Sequence, residues 1–247
     1  MRKEFDALMK NETWTVVDRP KDRKVIGCRW VLRTKLNVDG LIERRKARLV
    51  AKGFAQCRYT DFNETFAFVA RAESIRLVMA LAVGKGLEVH QLDFVAYLNG
   101  DIEELYMEIP DHLPSILSEA ELQRIPQNKV LKLKKALYGL KQSGRQWFTK
   151  LDERLKSMRF KQSGADSCVY TLQNGNDITI VVIYVDDVII AASNIEEMNE
   201  IKRQLSSFEM KDLGRIHHCL GIRFTQTNDS ITMDQEKYTE EVLEKYN

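Results

Sequence analysis

The sequence predicts an α+β fold built on antiparallel sheets. Helical apolar periods and short β-branched runs are mixed along the chain, several strand pairs are separated only by turn residues, and no internal repeat is present. The bulk numbers agree. A chain of 247 residues with 44% hydrophobic and 30% charged residues, 12 Gly and 4 Pro is too apolar and too poor in linker residues to be disordered. Its length allows one large domain or two to three small ones. The longest apolar stretch, ITIVVIYVDDVIIAA (178–192), is shorter than the roughly 18 residues of a spanning helix and carries two adjacent Asp, so no membrane partner is expected. Met1 is followed by the charged RKEFDALMKNE rather than an apolar leader, and Cys28, Cys57, Cys168 and Cys219 form no C-x-x-C pair. Reduced thiols in an intracellular, non-secreted protein are the expectation.

Helices are expected at 1–10, 73–84, 145–159, 195–207 and 235–246. The fourth starts at a possible capping box of Asn194 and Glu197. RWVLRTKL and LIERRKARLVAKGF flank Asn37-Val38-Asp39-Gly40, a turn sequence, which predicts a long β-hairpin. Further strands are expected at 88–93, 130–134, 168–173, 178–185 and 187–192, with a hairpin at 220–234 turning at Asn228-Asp229-Ser230.

The net charge of +2 conceals segregation. Residues 29–58 hold nine basic and two acidic side chains, and residues 122–151 hold eight basic and none acidic. On the second hairpin strand Arg44, Lys46, Arg48 and Lys52 share one face by period-2 alternation. A basic ribbon of this kind suits a polyanion; the ordinary alternative is a pair of solvated faces.

The richest segment is ITIVVI-YVDD-VIIAA, two apolar strands whose tip presents Asp186 and Asp187. Adjacent carboxylates beside an apolar core raise each other's pKa unless cations neutralise them. A comfortable Asp-Asp turn is the alternative, but such a turn does not require two buried strands. Asp93, closing LEVHQLD, adds a third carboxylate if its strand lies alongside. Three such groups can hold two Mg²⁺, or Mn²⁺, about 3.5–4 Å apart for phosphoryl or nucleotidyl transfer.

These residues match a known family across nearly the whole chain. The segments NETWTVVDRP, VIGCRWVLRTKLNVDGLIERRKARLVAKGFAQ, DFNETFAFVARAESIRLVMALA, LEVHQLD, YLNGDIEELYMEIP, KVLKLKKALYGLKQSGRQWF, YVDDVIIAA, FEMKDLG and LGI occur in family order. The chain resembles the reverse transcriptase domain of copia-type long-terminal-repeat retrotransposon Pol polyproteins. The resemblance implies a right-hand polymerase fold: fingers with the basic hairpin over 1–87, a palm over 88–225 with part of 105–150 returning to the fingers, and a primer-supporting hairpin end and start of a thumb over 226–247. It implies Asp93, Asp186 and Asp187 as catalytic metal ligands for two Mg²⁺. Arg48 and Lys52 would grip the triphosphate of a deoxynucleoside triphosphate, Tyr97 would pack on its sugar, and Gln142 would lie beside nucleotide and template. Tyr184 would lie under the primer terminus, and Leu220 and Gly221, within Cys219–Ile222, would support the primer. The implied partners are an RNA or DNA template with annealed primer and the RNase H and integrase regions of the parent polyprotein, in a cytoplasmic virus-like particle or the nucleus.

The chain departs from the family pattern at three places. DFVAYLNG has three residues between Asp93 and Tyr97 where the pattern D-V-K-x-A-F-L-N-G has four, and Phe68 and Gly144 stand where the family has Pro. Two readings follow: an active polymerase domain, or a catalytically impaired remnant that at most binds nucleic acid.

Overall fold

The computed structural model describes residues 1–36, 41–113, 128–227 and 229–246. The turn expected at 37–40, the Asn228 position and the stretch 122–127 of the second basic segment lie outside the described residues. In chain order the elements begin α1 (Arg2–Lys10), β1 (Trp14–Asp18), β2 (Val25–Ile26), β3 (Cys28–Leu36), β4 (Ile42–Ala51), α2 (Ala72–Lys85), β5 (Glu88–Phe94), β6 (Asp101–Met107) and β7 (Lys129–Lys135). They continue α3 (Ser143–Ser157), β8 (Lys161–Gln162), β9 (Val169–Asn174), β10 (Asp177–Tyr184), β11 (Asp187–Ala192) and α4 (Ile195–Leu205). The chain closes with β12 (Met210–Arg215), β13 (His218–Cys219), β14 (Ile222–Gln226), β15 (Ile231–Asp234) and α5 (Glu236–Tyr246). Every helix expected from periodicity forms, and the fold is α+β.

The chain divides into two compact units, Met1–Ala67 with Ala96–Lys150 and Phe68–Val95 with Leu151–Asn247. Residues 68–87 therefore group with β5, and the described residues of 96–150 group with the N-terminal residues, where the sequence indicated only part of 105–150 returning.

In the first unit a sheet of order β1-β7-β6-β2 stands beside the two-stranded ribbon β3-β4. The strand β6, DIEELYM, lacks an apolar alternation. It is held by pairing with β7, where Lys135 bonds Asp101 and Lys132 bonds Glu104 across the ladder.

In the second unit a six-stranded antiparallel sheet runs β12-β5-β11-β10-β9-β8. Ile180–Ile183 and Val188–Ala192 are all buried, which explains why their sequences are unbroken apolar runs. The helix α2 buries Ile75, Val78, Met79 and Ala82, and α4 buries Met198, Ile201 and Leu205; both lie against β11. Asn194 caps α4 by accepting from the backbone N–H of Glu196 and Glu197. The Glu197 carboxylate accepts from Thr179 Oγ1 at 3.0 Å, so the cap also ties α4 to β10.

On α4, Lys202 is buried. Its Nζ donates to His90 Nδ1 at 2.6 Å and to both Asp212 oxygens at 2.9 and 3.1 Å, joining α4 to β5 and β12. Burial, then the Lys202 charge, lowers the His90 pKa; Asp212, Glu88 and Arg215 also face it. A histidine held neutral by the fold contributes stability that is present above its ordinary pKa and lost as pH falls. The thermal midpoint should drop between about pH 7.5 and about pH 5.5, and His90→Gln, which keeps an acceptor but cannot titrate, should flatten that drop. An unchanged pH profile in this variant would show that His90 does not govern it.

Candidate active site

The site in the second unit is built on the β10–β11 hairpin. Tyr184 pairs with Asp187, leaving Val185 and Asp186 as a two-residue loop. Val185 has φ +56, while Asp186 is not in the left-handed region. This is the sign pattern of a type II′ turn, whose first loop position favours Gly. A β-branched residue there stores about 1–3 kcal/mol of strain. Val185→Gly should therefore raise the unfolding midpoint, by about 1 kcal/mol after the extra chain entropy of Gly is offset. A lower midpoint would mean that the loop is not strained.

Asp93 on β5 stands directly opposite Asp187 on β11. The Phe94 N–H donates to the Asp186 carbonyl at 2.8 Å, which makes Asp93 and Asp187 a non-hydrogen-bonded pair. Side chains of such pairs lie closest, with Cα atoms about 4.5 Å apart. Register extends the row on one face to Lys211, Asp93, Asp187 and Tyr184, from β12, β5, β11 and β10. Burial, then the Asp93 charge, raises the Asp187 pKa. Opposing this, Gln91 Nε2 donates to Asp187 Oδ1 at 2.8 Å. Gln91 is 4% exposed and was not singled out from the sequence, although its place two residues before Asp93 on the same strand face was visible there.

Two convergent oxygen donors, one with its charged form penalised by burial and a like charge, suit a hard divalent cation. The structure brings Asp93 and Asp187 together, with Asp186 on the loop beside them. Among the described residues no three His, Cys, Asp or Glu side chains gather into a metal-binding group. The next hairpin lies close by. Cys219 is 3% exposed, and burial and the Asp187 charge push its thiol up to about 12. The following Leu220 and Gly221 have φ +56 and +76, the signs of a type I′ turn joining β13 to β14. His217 and His218 are exposed.

In the first unit, Lys46 on β4 faces Arg33 on β3, and Arg48 faces Val31. One side of the ribbon therefore carries Arg29, Arg33, Arg44, Lys46 and Arg48, more cations than the second strand alone supplies. Like charges directly opposite one another destabilise a ladder unless an anion lies between or over them. Lys52 follows the strand and is exposed. Arg48 Cζ sits 4.7 Å from the centre of the Tyr138 ring, and its buried Nε has no hydrogen-bond partner. Tyr97, in a short 3₁₀ turn of Tyr97–Asn99, meets Tyr138 edge-on at 4.8 Å. Gln142 is 4% exposed, donates to the Asp61 carbonyl and accepts from Gln56 Nε2, both at 2.9 Å. It lines a polar cleft of 290 Å³ with Asp61, Asn63, Glu64 and Arg145.

No described helix is long and apolar enough to cross a membrane. The sequence profile of the family described as reverse transcriptase (RNA-dependent DNA polymerase) matches residues 11–247. The retrovirus-related Pol polyprotein from transposon TNT 1-94 of Nicotiana tabacum is 40% identical over 253 residues, covering all of this chain and 18% of its own length. The corresponding polyprotein from transposon RE1 of Arabidopsis thaliana is 35% identical over 251 residues, covering all of this chain and 17% of its own. The chain thus spans under a fifth of these relatives. A solved structure of the foamy viral protease-reverse transcriptase with double-stranded DNA aligns at TM-score 0.47 and 11% identity, over 96% of this chain and 35% of that one. The profile match, with similarity along the whole of this chain to part of transposon polyproteins, shows that this chain belongs to the reverse transcriptase (RNA-dependent DNA polymerase) family, as a domain of the copia-type Pol polyprotein kind.

Proposed function

We propose that the chain is an RNA-directed DNA polymerase domain that adds deoxynucleotides to a primer annealed to an RNA or DNA template. The observation that carries this is the Asp93–Asp187 pair, two facing carboxylates on adjacent strands, in a chain of this family. Asp93, Asp187 and the neighbouring Asp186 would hold two Mg²⁺, or Mn²⁺, which when bound activate the primer hydroxyl and stabilise the leaving pyrophosphate. Gln91 orients Asp187 and keeps it an acceptor. In the first unit Arg48 and Lys52 bind the triphosphate, the unpartnered Arg48 Nε favouring an anionic ligand, while Tyr97 packs on the sugar. Gln142 acts from its buried position by holding Gln56 and the Asp61 backbone beside the template. Tyr184, Leu220 and Gly221 support the primer. The RNase H and integrase regions of a parent polyprotein are the partners in cis, in a cytoplasmic particle or the nucleus.

Primer extension on a homopolymer RNA template with Mg²⁺ tests the reading. Extension should occur, and Asp186→Asn should reduce it by about 10³-fold, the effect of losing several kcal/mol of metal-borne stabilisation. The shortened DFVAYLNG segment favours a second reading, an impaired remnant that binds nucleic acid without extending it. No extension by the native chain, with extension restored by inserting one residue after Val95, would establish that second reading.

A further inference from the structure

The Tyr138 ring touches both Arg48 and Tyr97, the proposed triphosphate cation and the proposed sugar-facing ring. Its face carries the Arg48 guanidinium at 4.7 Å, and its ring meets Tyr97 at 4.8 Å with the planes 89° apart. The first contact is a cation–π arrangement and the second an edge-to-face aromatic pair, each dependent on the ring and not merely on apolar bulk.

The backbone beneath Tyr138 is anchored. Its carbonyl accepts from the Ala51 N–H at 2.8 Å. The following Gly139 has φ +91, and a Cβ there would stand 2.2 Å from the Ala51 carbonyl oxygen and 2.6 Å from Val50 Cγ1. Only glycine allows this approach, which fixes Tyr138 against the end of β4, the strand that bears Arg48. Arg48 Nε is buried without a hydrogen-bond partner while the guanidinium lies over the Tyr138 ring, so the ring aims the cation.

We propose that Tyr138 is a positioning residue for sugar selection, locking Tyr97 edge-on while holding Arg48, so that the sugar-facing ring and the triphosphate cation keep one spacing. This rests on the reading of Tyr97 as sugar-facing. A ribonucleotide is then rejected because Tyr97 cannot yield to the 2′-hydroxyl without breaking its contact with an anchored ring. Loss of the ring should loosen Tyr97 and lower the preference for deoxynucleotides.

The experiment traps ternary complexes of the full chain on a dideoxy-terminated primer–template with Mg²⁺ and compares the affinities for dUTP and UTP, which differ only at the 2′ position, and requires no turnover. Tyr138→Leu should lower the deoxy-to-ribo preference by about 10-fold, the scale of one lost aromatic pair, with Tyr138→Phe retaining it. Tyr97→Ala should also lower it, and Tyr138→Leu should add nothing in the Tyr97→Ala background, because both changes remove the same constraint. Unchanged preference in Tyr138→Leu with a lowered one in Tyr97→Ala overturns the proposal and leaves the Tyr97 reading standing. Unchanged preference in Tyr97→Ala overturns that reading and the proposal with it. Equal weakening of both nucleotides in Tyr138→Leu and Tyr138→Phe, with a lowered thermal midpoint, assigns the residue to packing alone and also overturns the proposal.

Discussion

Replacing Asp187 with Asn should abolish nucleotide incorporation, by about 10³-fold or more, while making the metal-free protein more stable. The loss follows from removing one of two facing oxygen donors. The gain follows from electrostatics. Burial and the Asp93 charge raise the Asp187 pKa, so the fold prefers this carboxyl protonated. A carboxyl whose folded pKa is raised contributes stability below its unfolded pKa and loses it as pH rises through the folded value. At neutral pH the ionised Asp187 is therefore a cost. An Asn pays none of it, and its carbonyl can still accept from Gln91. A calorimetric midpoint above that of wild type is expected for the metal-free variant. Added Mg²⁺ should raise the wild-type midpoint and leave the Asn variant nearly unmoved. A variant less stable than wild type, or one still stabilised by Mg²⁺, would show that the carboxylate is structural.

The second large effect is expected at Arg48. Arg48→Ala should lower kcat/KM for a deoxynucleoside triphosphate by about 10–100-fold, mostly through KM, because a charge-assisted hydrogen bond to phosphate is worth about 1.5–3 kcal/mol. Arg48→Lys should recover little, since the stack on Tyr138 needs a planar cation. Lys52→Ala, at an exposed point charge, should be milder. Substituting Arg33 and Lys46, which face each other across the ribbon, should instead weaken primer–template binding and lower the steepness of its salt dependence by about one per phosphate contact removed. Loss confined to nucleotide binding in the ribbon variants would move the template path away from this face.

Much of the fold was legible because local pattern and tertiary burial coincide. The apolar runs around YVDD form β10 and β11, buried along their length, and the 3.6-residue stripes of α2 and α4 are the faces against β11. The strands β6 and β12 were not legible. DIEELYM and MKDLGR are too polar for a pattern reading, and they are strands only because β7 and β5 offer them a ladder. The same holds within the site. Gln91 could have been noticed by counting two residues back from Asp93, whereas nothing near Tyr138 announces that Arg48 and Tyr97 meet on its ring.

The order of residues along the chain suffices to read the family, the α+β class, the apolar strands around Asp186 and Asp187, and the cationic hairpin, because each is carried by short segments whose spacing and polarity are visible one after another. Only the tertiary structure decided that Asp93 faces Asp187 in direct register, that Gln91 holds the latter, and that the ribbon gathers cations from both strands. Those are pairings between residues far apart in the chain, and register across a sheet is chosen by the burial of many side chains at once, which no single segment contains.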